Sequence, residues 1–298
     1  VIGLTRSYNQ ENLRGLAYLG IKEDVIIKEC DLLDLSNVMS LLLEFKPDEL
    51  YNLASQSSVG LSFSQPVGTI NFNIISVINL QESIRTASPH TKFYQASSSE
   101  MFGNVQSLPI SEYSIIHPTS PYAISKAAAH WSVVNYRESY GLFGCCGILF
   151  NHESYLRSTN FFIKKVILQA LKIKNGEQKT LKVGNLDIKR DFGYAPDYIK
   201  AMWLMLQRET AMDYVICSGE SIYLRDIVSY IFDKLKIDKS KIEIDKSLFR
   251  PNEIKNIYGN NEKAKKELNW EYNKNFFEVL DILIEEEIRN EQKNQCIV

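Results

Sequence analysis

The 298-residue chain is 45% apolar with a formal net charge of -2, enough apolar content to bury a large core in one or two domains. The charge argues against nucleic acid as a main partner and confines any phosphate-binding surface to a local pocket. No signal peptide and no run of about 18 apolar residues is evident, so a soluble, cytoplasmic protein with no membrane partner is expected. Five cysteines (Cys30, Cys145, Cys146, Cys217 and Cys296) mostly fall inside apolar runs and read as buried thiols without metal-ligand spacing.

In chain order, β-rich runs at Asp24 to Cys30, Glu49 to Ala54, Thr91 to Ser97 and Phe143 to Phe150 alternate with helical patterns at Ser36 to Phe45, Asn71 to Ala87 and Ala123 to Tyr140. That alternation predicts an α/β fold with a doubly wound parallel sheet of Rossmann type. Beyond Asn151 the pattern loosens. A helix is expected near Asn160 to Lys174, short strands at Leu181 to Val183 and Tyr214 to Ser218, an amphipathic helix from Leu224, and a charged helix at Asn275 to Asn290. Residues 1–152 are therefore assigned to a nucleotide-binding domain, with 181–220 partly returning to it. Residues 153–180 and 221–298 are assigned mainly to a smaller, interleaved substrate-binding domain.

The chemistry concentrates in two places. The run Thr91-Lys-Phe-Tyr-Gln-Ala-Ser97 reads as a buried strand delivering Ser98 and Glu100 to its carboxyl end, where open α/β sheets bind ligands. Tyr122-Ala-Ile-Ser-Lys126 follows, and its spacing of four puts both polar groups on one helix face. A nearby cation favours the phenolate, so Lys126 is expected to lower the pKa of Tyr122, with Ser98 holding a substrate oxygen beside it. Such a site handles an alcohol/carbonyl pair with a nicotinamide cofactor. A second Tyr-x-x-x-Lys, at Tyr230 and Lys234, has no serine-rich strand end ahead of it and reads as structural. Gly141, Gly144 and Gly147 have phosphate-loop spacing, but they follow a helix and enter a strand, so they read as turn and packing residues. Glu100 taken alone reads either as a solvated loop carboxylate or as a base.

Four stretches, Phe93-Tyr-Gln-Ala-Ser-Ser-Ser-Glu100-Met-Phe-Gly, Ser120-Pro-Tyr122-Ala-Ile-Ser-Lys126, Val134-Asn-Tyr-Arg-Glu-Ser-Tyr-Gly141 and Gly147-Ile-Leu-Phe-Asn151-His-Glu-Ser154, closely resemble the GDP-mannose 4,6-dehydratases of the extended short-chain dehydrogenase/reductase family. The resemblance runs from the first residue to about Glu285. It implies NADP as cofactor, GDP-mannose or a related GDP-sugar as substrate, and a homo-oligomer, dimer or tetramer. It implies Ser98, Glu100, Tyr122 and Lys126 as the catalytic set, with Tyr122 and Lys126 also meeting the cofactor. Arg6, Asp31, Leu32, Leu53, Ala54 and Ser55 match cofactor positions, and the basic Arg6 after the strand favours a 2′-phosphate. By themselves Arg6 also reads as a surface arginine and Asp31 as a loop or cap residue. Asn151, Lys165, Arg190, Arg250 and Glu253 match substrate positions: arginine forks suit phosphate oxygens, and Glu253 suits ribose hydroxyls. His152 reads as a structural histidine.

The resemblance places Val1-Ile-Gly-Leu at the family's second strand, so the first strand, its glycine loop and the following helix are expected upstream of residue 1. Ser98 stands where the family usually has Thr, Ser58 where it often has His, and Tyr8 to Leu19 diverges. Ser99 ahead of Glu100 replaces the Asp of dTDP-glucose dehydratases and favours the GDP-sugar branch. The rival readings are a nucleotide-sugar reductase or epimerase, a dehydratase of another GDP-sugar such as GDP-heptose, and a non-catalytic nucleotide-sugar-binding paralogue.

Overall fold

The computed structural model describes residues 1–7 and 13–295; Cys296 and part of the divergent Tyr8 to Leu19 segment lie outside the described residues. The chain runs through Ile2–Thr5 (β1), Arg14–Tyr18 (α1), Ile26–Glu29 (β2), Leu35–Phe45 (α2), Glu49–Asn52 (β3), Val59–Ser64 (α3), Pro66–Ala87 (α4), Lys92–Ser98 (β4), Pro121–Tyr140 (α5) and Gly144–Leu149 (β5). It continues through Asn151–Glu153 (β6), Phe162–Lys174 (α6), Leu181–Val183 (β7), Lys189–Arg190 (β8), Phe192–Tyr194 (β9), Ala195–Leu206 (α7) and Tyr214–Ile216 (β10). Ile222–Tyr223 (β11), Leu224–Leu235 (α8), Ile242–Ile244 (β12), Asn256–Ile257 (β13), Glu262–Leu268 (α9) and Phe276–Gln295 (α10) complete it.

The central sheet is parallel, in the order β10-β5-β4-β3, and β1 and β2 form a separate parallel ladder. Every residue of β5 is buried, as is β4 beyond Lys92, because helices cover both faces. On one face Val38, Leu42, Val77, Leu80, Ala129 and Val133 of α2, α4 and α5 pack on Phe93 and Cys146. On the other, Tyr198, Met202 and Met205 of α7 and Trp270 pack with Tyr94, Cys145 and Tyr214. The doubly wound expectation therefore holds, and Cys30, Cys145, Cys146 and Cys217 are buried free thiols. A separate cluster unites α6, α8 and α10 around Ile167, Ile231 and Leu280, with Leu181 and Val183 of β7 beneath it. Residues 181–183 thus belong to the smaller unit, whereas α7, β10 and α9 pack on the central sheet.

Local signals explain the boundaries. Ser120 caps α5 by accepting from Ala123 N at 3.1 Å, Pro121 occupies its first turn, and Gly141 ends it with φ +66°. Helix α4 starts five residues before the expected Asn71, because Pro66 opens the helix instead of breaking it. Ser58, where the family often has His, caps α3 by accepting from Leu61 N at 3.2 Å. Tyr230 and Lys234 both bind Asp281 of α10, at 2.8 and 3.0 Å, which gives that tyrosine–lysine pair its structural role. Val215 N, on the sheet's outer strand, donates to Glu112 Oε1 at 2.8 Å, which covers part of that edge.

Gly144 and Gly147 lie within β5, as packing residues should. A Cβ at Gly147 would stand 2.2 Å from the Tyr94 hydroxyl and 2.8 Å from its ring, and that ring is fully buried. Gly147→Ala is expected to destabilise the fold by about 1–3 kcal/mol through overpacking, measured by urea denaturation; a variant as stable as the parent would contradict this account of β5.

Candidate functional site

Strand β4 carries Ser98 to the sheet's carboxyl end, where its hydroxyl accepts from Glu100 N at 3.3 Å and starts a 3-10 turn, Ser99–Phe102. The cap at Ser120 places Tyr122 in the first turn of α5 and Lys126 one turn on. Lys126 Nζ donates to Ala96 O of β4 at 2.9 Å and ties helix to strand. The segment after β3 is tied to the same helix. Ser55 Oγ and Gln56 N donate to Asn73 Oδ1, Asn73 Nδ2 donates to Ser125 Oγ at 2.9 Å, and Ser125 Oγ donates to Tyr122 O at 2.7 Å.

Burial pushes the Tyr122 phenol up to about 12; the Ser98 hydroxyl and the Arg157 charge pull it down, and Glu100 pushes it further up. The expected lowering by Lys126 is overturned in this structure. The ammonium lies 5.9 Å from the Tyr122 ring centroid, is bound to Ala96 O, and is itself brought down to about 8 by burial. Desolvation of the phenolate outweighs the cation four residues away. Burial thus disfavours both the phenolate of Tyr122 and the ammonium of Lys126.

A cavity of about 610 Å³ opens at this strand end and reaches into the smaller unit. It brings together Leu53, Ser55, Ser98, Glu100, Tyr122, Lys126, Asn151, Lys165, Arg190 and Arg250. Ala54 and Glu253 do not line it, nor do Arg6, Asp31 and Leu32, which follow the carboxyl ends of β1 and β2. Asp31 Oδ1 accepts from Leu33 N at 3.0 Å in a loop turn, and Leu32 O accepts from Asn79 Nδ2 at 2.9 Å. Asn151 Nδ2 donates to Asp191 O at 3.1 Å, and Arg190 is buried between the carbonyls of Lys189 and Ile254. His152 Nδ1 donates to Phe150 O at 2.8 Å, its ring lies on Tyr198, and burial brings it down to about 4.

Two lining cations escaped the sequence reading, Lys182 and Arg157. Arg157 stacks on Phe161, 3.6 Å from the ring centroid, with Nε 3.6 Å from Glu153 Oε2. The only signal for it was a basic residue between Asn151 and Lys165. Burial raises the Glu153 carboxyl to about 7, against the pull of Arg157 and Lys164. Arg157 Nε and Glu153 Oε2 face each other as a buried ion pair without a hydrogen bond, in a lining that also carries the donors of Ser98, Tyr122 and Lys126. That donor set fits the nicotinamide end of a dinucleotide. Among the described residues, no sheet strand passes through a glycine-rich turn into a helix.

The family model for GDP-mannose 4,6 dehydratase matches residues 1–283. The chain belongs to the GDP-mannose 4,6 dehydratase family. Among GDP-mannose 4,6 dehydratase relatives, "GDP-mannose 4,6 dehydratase 2" of Arabidopsis thaliana is 42% identical over 276 residues, covering 90% of this chain and 73% of that protein. The Vibrio cholerae GDP-mannose 4,6-dehydratase is 39% identical over 270 residues, 80% of this chain and 72% of that protein. Among solved structures, RMD from Pseudomonas aeruginosa complexed with NADPH superposes with TM-score 0.81 at 25% identity, covering 95% of this chain and 97% of that one. DesIV, a dTDP-glucose 4,6-dehydratase from Streptomyces venezuelae, shares the fold with TM-score 0.85 at 21% identity, covering 96% of this chain and 86% of that one.

The folded chain favours neutral His152, whose pKa falls from 6.5 to about 4. Its contribution to stability is therefore complete above about pH 6.5 and lost as pH falls toward 4. Against His152→Gln, the parent should lose on the order of 3 kcal/mol more across that window, followed by urea denaturation at each pH; parallel stability curves would refute the burial assignment.

Proposed function

We propose that this chain dehydrates GDP-D-mannose to GDP-4-keto-6-deoxy-D-mannose by internal hydride transfer through NADP. The observation that carries the reading is one cavity lined by Ser98, Glu100, Tyr122 and Lys126 at its sheet end and by Lys165, Arg190 and Arg250 at its far side. A reductase or epimerase needs the hydroxyl, tyrosine and lysine; removal of a carbon-bound proton calls for a carboxylate as well.

Tyr122 and Lys126 would hold the cofactor with Leu53 and Ser55, and Arg6 is proposed for its 2′-phosphate, with Asp31, Leu32 and Ala54 along the same side. The chemistry supplied by NADP when bound is hydride acceptance from C4 and hydride return to C6. Tyr122, as phenolate, takes the C4 hydroxyl proton while Ser98 donates to the same oxygen. Arg157, whose charge favours the phenolate, assists this step. The C4 ketone acidifies C5, Glu100 removes the C5 proton, and the same carboxyl protonates the C6 hydroxyl as it leaves as water. After hydride return, C5 takes a proton from solvent, which balances the one Tyr122 removed. Arg190, Arg250 and Lys165 bind the diphosphate, and Asn151 is proposed to orient it.

With this reading goes a cytoplasmic homo-oligomer, dimer or tetramer. Exposed Val67 and Ile75 on α4, with Ile124 and Trp131 on α5, support self-association. No helix among the described residues is long and apolar enough to cross a membrane.

Incubation with GDP-mannose and NADP in heavy water should yield a 6-deoxy-4-keto product carrying deuterium at C5, with no net change in NADPH. Net NADPH consumption would indicate a reductase. Glu100→Gln should slow dehydration roughly 10²–10⁴-fold with GDP affinity retained; unchanged turnover would remove Glu100 from its role. Tyr122→Phe should abolish oxidation at C4, read as loss of transient NADPH absorbance in a single turnover.

A further inference from the structure

Tyr122, Lys126 and His130 stand one turn apart on the face of α5 that meets the central sheet, and all are buried. The first two line the cavity and His130 does not. It is nevertheless tied to the strand that carries the site. His130 Nδ1 lies 3.1 Å from Ser97 Oγ, both side chains are buried, and Ser97 immediately precedes Ser98 in β4. The same residue meets the neighbouring strand, because Cys146 Sγ of β5 donates to His130 O at 3.9 Å. Burial disfavours the charged imidazole; Asp213 opposes that shift and Arg137 adds to it. Those two are paired with each other at 2.8 Å, and Asp213 also accepts from Cys146 N at 2.8 Å.

Two polar contacts on successive turns therefore hold α5 on the last residues of β4: Lys126 Nζ on Ala96 O at 2.9 Å, and His130 on Ser97 Oγ. One such contact leaves a helix free to rock about it, whereas two fix both its height along the strand and its rotation. Helix α5 carries Tyr122 and strand β4 carries Ser98, whose hydroxyl is hydrogen-bonded to the Tyr122 phenol. A misplacement of about 1 Å between groups that share one reacting atom costs on the order of 10²-fold in rate. Removing the imidazole would leave a buried hydroxyl unpaired next to Ser98, with a free-energy reason to move.

We propose that His130 is a positioning residue for the oxidation step: through Ser97 it sets the register of α5 against β4, and so the approach of Tyr122 to Ser98. The inference rests on Tyr122 and Ser98 acting together on the C4 hydroxyl, as proposed above. It differs from a ring that merely fills the core, because the polar contact and not the volume is what matters.

The test compares His130→Phe, which keeps a ring and loses the contact, with Ser97→Ala, which removes the same contact from the strand side, and with the double variant. C4 oxidation is followed as transient NADPH absorbance in a single turnover of the full chain with GDP-mannose and NADP, and GDP binding is measured by calorimetry. Each single change should slow oxidation about tenfold while GDP affinity stays within about twofold. The double variant should be no more than about twofold slower than the slower single one, since both remove one interaction. His130→Asn, which returns a polar atom near the Nδ1 position, should recover the rate to within about threefold of the parent. Parental rates accompanied by lower stability in urea would reduce His130 to core packing and overturn the proposal. So would a double variant slowed by the product of the two single effects, an Asn variant as slow as Phe, or a parallel loss of GDP binding. Should His130→Phe fail to fold, Ser97→Ala and His130→Asn decide by the same criteria. A parent chain that gives no NADPH transient defeats the proposed function itself, and the inference falls with it.

Discussion

A single buried carboxylate, Asp191, joins the central sheet to the smaller unit. Its oxygens accept from Ser218 N, Ser218 Oγ, Gly219 N and Gly259 N at 2.7–3.3 Å, and its carbonyl accepts from Asn151 Nδ2 at 3.1 Å. Those donors come from the loop after β10 and from the segment after β13, while Asn151 opens β6. Burial pushes this carboxyl up to about 6 and the four hydrogen bonds oppose the shift. A fully buried acid with every lone pair engaged holds its neighbours in one geometry, since each donor would otherwise be left unpaired. Arg190 is the adjacent residue, so the link that assembles the interleaved chain also sets the arginine side of the cavity against the end lined by Ser98 and Tyr122.

At the sheet end of the cavity the dominant constraint is desolvation. Tyr122 and Lys126 are both buried, one pushed toward the neutral phenol and the other toward the neutral amine. Lys126 answers burial by binding Ala96 O, which anchors α5 to β4 and so fixes the distance between Tyr122 and the strand end carrying Ser98 and Glu100. The lysine's effect on this fold is thus positional first, while Arg157 and Ser98 are the groups that favour the phenolate.

Much of this was legible in advance, for local reasons. Strand β5 is a continuous run without a charged or amide side chain, β4 begins on Phe93-Tyr94, and α5 has its cap, its first-turn proline and its terminal glycine in sequence. Ser98, Glu100, Tyr122 and Lys126 fall at the end of one such strand and in the first turns of one such helix, so motif spacing sufficed to group them. The two-residue strands β8, β11 and β13 were not legible, because each exists only by pairing with a segment about 30 or more residues away. Arg157 was missed for the same reason. Its place depends on Phe161 and Glu153 folding back in a segment without helical or strand period.

By itself the sequence determined the alternating α/β order, the burial of its strand cysteines and the grouping of Ser98, Glu100, Tyr122 and Lys126, because these follow from side-chain period and short spacing. Only the tertiary structure decided the desolvation of Tyr122, the removal of Glu253 from the cavity lining and the place of Arg157. Those depend on desolvation and on charges brought together from distant segments, and both fall off with distance in space rather than along the chain.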